Sequence, residues 1–126
     1  MRVTMWVMLI VSIIEVGANL FFLVNMARGK GLGAAKKFHG DFPSYASGRA
    51  WIIKIVVSLA LGALALFAAF SIYQGYGAKV IISGLFAGGM LLMCIVEAIL
   101  YGKKHKPALF SIILGLALVA LVFFRV

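Results

Sequence analysis

Glu15 stands near the centre of the first long apolar run of the chain, about ten residues or roughly 15 Å from either end of it. A carboxylate at that depth in hydrocarbon cannot snorkel to water, and its ionised form costs about 3 kcal/mol or more, so it must face a protein interior or water, find a partner, or hold a proton. Ser12 and Asn19 lie three residues before it and four after, which puts all three on one helical face with Met8 and Phe22 above and below. Such a stripe suits a proton- or cation-binding site in which Glu15 alternates between charged and neutral forms. It serves equally as a hydrogen-bonded clamp to another span, to a second copy or to a different subunit. Gly17 beside the stripe offers room for a neighbouring backbone in either reading.

Glu97 occupies a different setting, about four residues from the end of the third apolar run. There it is within reach of water and of Lys103, Lys104 or Lys106, and a structural ion pair is the expectation. Turned inward, it would be a second titratable group on the pathway of Glu15. A third group of polar residues lies between the first two runs, where Lys36, Lys37, His39, Asp41 and Arg49 alternate with Phe38, Phe42 and Tyr45. Cations mixed with aromatic rings suit anionic lipid headgroups at the membrane interface. The rival reading of the same loop is a lipid-modifying enzyme with His39 and Asp41 as acid and base.

Other chemistries lack their residues. Neither His39 nor His105 falls in an apolar run, no His, Cys and carboxylate cluster has metal spacing, and the single cysteine, Cys94, excludes a disulfide within the chain. Gly29-Lys30-Gly31-Leu32-Gly33 does not match a phosphate-binding loop. No metal and no cofactor is expected, and an enzyme is the less favoured class.

The elements that carry these residues follow from composition. Of 126 residues 65% are hydrophobic and 12% charged, with three acids in all (Glu15, Asp41 and Glu97), and the mean hydropathy is +1.17. That is too apolar for a soluble domain, and the expected fold is an all-α integral membrane four-helix bundle forming a single domain over residues 1–126. Runs at about residues 5–26, 51–73, 80–101 and 107–124 are long enough to span hydrocarbon and lack the alternation of barrel strands. The first run begins after Arg2 like a secretion signal but continues through Leu20–Val24, and is read as an uncleaved span.

The net charge of +9 does not point to nucleic acid, because the basic residues cluster at the ends of apolar runs. Arg28, Lys30, Lys36, Lys37, Arg49, Lys54, Lys103, Lys104 and Lys106 fall on one side, and Arg2, Lys79 and Arg125 on the other. The positive-inside rule then predicts both termini outside and the long basic loop 27–50 at the cytoplasmic interface. A prokaryotic-type plasma (inner) membrane is the expected location.

Helices in lipid associate through small residues, and three faces qualify: Ser58, Gly62, Ala65 and Ala69; Gly84 and Gly88; and Ala108, Ser111 and Gly115. Ile14-Glu15-Val16 with Gly17 resembles the first helix of the small multidrug resistance transporters, which implies proton exchange against cationic substrates. Ile82 stands where that family's third helix carries a tryptophan, and the first loop here is much longer. His39-Gly40-Asp41-Phe42 with Tyr45 is similar to the cytosolic loop and second helix of the membrane-associated eicosanoid and glutathione proteins. Pro43 and Gly48 interrupt that helix, and no arginine for the thiol cofactor is found in the third run.

The leading expectation is a transport or channel-type protein, or a permease component, with Glu15, Ser12 and Asn19 as its intramembrane polar site. It would act as a homo-oligomer in contact with anionic lipid. The alternative is a non-catalytic accessory or anchor subunit of a larger membrane complex, with the Glu15 stripe bonded to a partner.

Overall fold

The computed structural model describes the backbone of residues 2–29, 48–101 and 107–125, and the side chains of 2–29, 52–99 and 112–125. The described backbone is helical, in the order α1 (Arg2–Ala27), α2 (Gly48–Gln74), α3 (Lys79–Tyr101) and α4 (Pro107–Arg125), and holds no strand. Each stretch read as a span from the sequence folds as a helix. Three of them, over Arg2–Ala27, Ile52–Gln74 and Lys79–Ile99, are long and apolar enough to cross a membrane. The fourth has 19 residues and a shorter described apolar part, Ile112–Arg125.

Helix boundaries differ from the sequence reading at one consequential place. Gly48, expected to break a helix, is the first residue of α2, so the helix enters three residues before Trp51. Lys54 therefore stands in the second turn of α2 and not the first.

The outside of the bundle is apolar, and several polar side chains join the apolar ones inside. Large apolar residues such as Ile13, Phe21, Ile53, Leu85, Leu92 and Ile99 are exposed, while Thr4, Ser12, Asn19, Ser58, Ser71, Ser83 and Glu97 are buried. Large apolar side chains turned outward on helices long and apolar enough to cross a membrane suit a lipid surrounding. The chain is a helical membrane protein.

Helix α2 ends at a tight turn whose hydrogen bonds explain its brevity. Tyr76 donates its N–H to the carbonyl of Ser71 at 2.9 Å and Gly75 donates to Ile72 at 3.2 Å, the two bonds of a Schellman cap. Gly75 takes the left-handed φ of 70° that this cap requires, and the rings of Phe70 and Tyr76 meet edge to face at 5.8 Å across it. Helix α1 closes in a similar way at Gly29, whose φ is 78°. We call the end of the bundle at Gly75 the turn end and the opposite end, at Ala27 and Gly48, the loop end.

Successive helices pack antiparallel. Helix α1 packs most closely on α2, and α3 on α4, while α2 against α3 joins the two pairs. The apolar core, built from Met8, Ala65, Ala68, Ala69, Phe86, Met90 and Leu118, fills the turn half of the bundle. Small alanines on α2 bring the helices close enough for Met8 and Phe86 to be fully enclosed.

Candidate functional site

The stripe on α1 does face inward, and glycine on α2 sets how closely it is approached. Gly62 lies against Glu15 and Val16, so tightly that a Cβ on it would stand 2.7 Å from Cγ2 of Val16 and 3.2 Å from Cβ of Glu15. With the backbones this near, the hydroxyl of Ser12 donates to the carbonyl oxygen of Gly62 at 2.8 Å in a buried bond. Ser12 thus joins α1 to α2. Gly17, expected to provide the close approach, has nothing within 4 Å of where its Cβ would be. The small residue that matters belongs to the partner helix, because Gly17 lies on the outer flank of the stripe.

Asn19 is buried one turn beyond Glu15. Its side-chain amide donates to the carbonyl of Glu15 at 2.7 Å and reaches Oε2 of the Glu15 carboxylate at 3.4 Å. The first bond fixes the amide on the helix backbone, and the second directs it toward the acid as a weaker contact. Met8 and Phe22 are buried at the ends of the same face. The polar stripe read from the sequence is therefore one continuous inward face of α1, and it is brought together with groups from two other helices.

Those groups are Lys54 and Glu97. The ammonium of Lys54 on α2 lies 3.3 Å from Oε1 of Glu97 on α3, with side-chain exposures of 11% and 9%. Glu15 lies within direct charge–charge range of both. Glu97 thus turns into the bundle and is paired there with Lys54; the lysines first considered for it, Lys103, Lys104 and Lys106, lie outside the described residues. The sequence groups Lys54 with the basic residues at the ends of the apolar runs. With α2 starting at Gly48, Lys54 stands inside the bundle, where its head meets a carboxylate.

The signal for Lys54 was present in its spacing. Lys54, Ser58, Gly62, Ala65 and Ala69 recur at four, four, three and four residues, so the lysine continues the small-residue face of α2. Ser83, Phe86, Met90, Cys94 and Glu97 form the matching buried face of α3. Ser58 on the first face contacts the sulfur of Met93 at 3.8 Å, one turn from the ion pair.

Known protein families, curated proteins and solved structures give no match to this chain. The functional reading therefore rests on the site itself.

The described residues contain no grouping of three or more His, Cys, Asp and Glu able to hold a metal ion. Cys94 is buried on the inner face of α3. The expected headgroup residues Lys36, Lys37, His39 and Asp41 lie outside the described residues, and Arg49 falls in the first turn of α2 with its side chain outside them. The small-residue pair on α3 behaves differently from its reading as a packing face. Gly84 and Gly88 have nothing within 4 Å of where a Cβ would be, and they open onto a groove with Val80, Ala87, Val119, Val122 and Phe123. The close approaches on α3 and α4 are made instead by Gly89 against Leu61 and by Gly115 against the backbone of Leu91.

Proposed function

We propose that this chain is a small transport or channel-type membrane protein, or a permease component, that binds a proton or a small cation at Glu15. Its four helices all span the membrane, with both termini outside and the basic loop 27–50 on anionic lipid at the cytoplasmic face of a prokaryotic-type plasma membrane. The observation that carries the reading is the inward cluster of Glu15, Lys54 and Glu97 within apolar helices. Ionisable groups in a span are expensive, and a purely structural clamp needs only neutral polar partners such as Ser12 on the Gly62 carbonyl. Among the described residues, two acids with one base leave one negative charge for a mobile species to balance.

A bundle of this size encloses little space, and the pathway is completed by a second copy of the chain. The test is flux in liposomes. Purified protein should carry proton-coupled cation flux, and Glu15→Gln should abolish it while the variant remains folded; unchanged flux in the variant, or none from the native chain, counts against the reading.

The alternative, an accessory or anchor subunit, is favoured by the open groove at Gly84 and Gly88, which leaves a small-residue face of α3 free to receive a further helix. Purification in mild detergent separates the two. A fixed partner subunit supports the accessory role, and a homogeneous homo-oligomer supports transport.

A further inference from the structure

We propose that Lys54 is an internal counter-cation that neutralises Glu97, so that the cluster exchanges one monovalent positive charge, at Glu15. The inference deepens the transport reading above by naming the charge that the same site takes up.

The argument begins with a charge count. The described charged groups that face one another inside the bundle are Glu15 from α1, Lys54 from α2 and Glu97 from α3. The described part of α4, Ile112–Arg125, adds Arg125, which stands in its last turn at the turn end with Arg2 and Lys79, away from the cluster. Arg28 follows α1 at the loop end and is exposed. Among the described residues, two carboxylates and one ammonium sum to a single negative charge, which a low-dielectric interior does not tolerate unbalanced.

Geometry decides which acid already has a counter-ion. Lys54 and Glu97 lie at 3.3 Å on facing helices, both nearly enclosed, so each is the fixed counter-ion of the other. Glu15 has no such contact among the described residues. What touches its carboxylate is the amide of Asn19 at 3.4 Å, a neutral donor that supports either an ionised or a protonated acid. Ser12 is committed to the Gly62 carbonyl and brings no charge. Glu15 is therefore the member whose charge is left to a mobile species. The step is a simple exchange: the Glu15 carboxylate takes one proton to become a neutral acid and gives it back, or it binds one monovalent cation in the proton's place. A divalent ion would leave the cluster positive and is disfavoured by the same count.

The test is infrared difference spectroscopy of the purified chain in lipid nanodiscs across a pH titration, reading the carbonyl-stretch band of buried protonated carboxyls. The native chain should show one such band, and Glu15→Gln should lose it. Lys54→Met should show a second band as Glu97 takes a proton in place of its lost partner. The double variant Lys54→Met with Glu97→Gln should return to one band, and because it removes both charges of the pair it also controls for misfolding of the single variant. A native band that survives in Glu15→Gln, or a Lys54→Met spectrum identical to the native one in the folded protein, would overturn the proposal. Loss of the native band on adding sodium or potassium at fixed pH assigns the exchanged charge to that cation, and indifference to both assigns it to the proton. Failure of liposome flux with these bands intact would remove the transport reading and leave the one-charge site standing.

Discussion

The seam between α1 and α2 and the seam between α3 and α4 close at similar depth by the same device, a glycine, yet they enclose different chemistry. At the first, Gly62 meets Glu15 and Val16, and the shortened distance lets Ser12 reach a backbone carbonyl. At the second, Gly115 meets the backbone of Leu91, where a Cβ would stand 3.0 Å from its Cα, and the surroundings are apolar. A glycine in lipid is thus a spacer whose value depends on what the opposite helix presents. The α1–α2 seam uses it to seat a polar stripe; the α3–α4 seam uses it for packing alone.

The largest effect in this comparison comes from the charges beside the first seam. Lys54→Met removes the ammonium that stands 3.3 Å from Glu97 and should destabilise the fold by about 3–5 kcal/mol, whereas pairing it with Glu97→Leu should recover most of that loss. Reversible unfolding in mixed micelles measures both, and an additive pair of losses would show that the two side chains do not interact.

Next come the spacers. Gly62→Ala should cost about 1–3 kcal/mol because the new methyl must displace Val16, and Val16→Ala in the same chain should return part of it. Gly115→Ala should cost a comparable amount, since its obstacle is backbone and cannot rotate away. If polarity separates the seams, Gly62→Ala alone will also weaken function at Glu15, read as liposome flux.

Ser12→Ala removes one interhelical hydrogen bond and should cost about 0.6 kcal/mol, in line with such bonds inside membranes. The smallest change is expected at Gly84 and Gly88. Substitution of either by Ala meets open space and should be neutral or stabilising by about 0.5 kcal/mol through helix propensity. A loss of oligomer without a loss of monomer stability in Gly88→Ala would instead mark this face as the contact with another chain.

The difference between Gly62 and the Gly84 and Gly88 pair also shows where sequence reading stops. Both belong to small-residue stripes of the same appearance, and spacing alone ranks the repeat on α3 as highly as the face on α2. Only the neighbours separate them. Glu97 makes the same point: four residues from a helix end, it reads as a group that escapes to water, and it is the entry of α2 at Gly48 that delivers Lys54 to meet it inside.

What the sequence by itself determined is the helical character of each apolar run, their order, the mid-helix place of Glu15 and the company of Ser12 and Asn19 on its face. These are local properties, because a helix in hydrocarbon satisfies its own backbone and its periodicity places its own side chains. Tertiary structure alone decided which faces meet: Gly62 against Glu15, Lys54 against Glu97, and Gly84 and Gly88 against nothing within the described chain. Helices that are apolar on every side carry little amphipathic signal to fix their rotation, so their register is settled by close contacts between residues tens of positions apart, which no single run encodes.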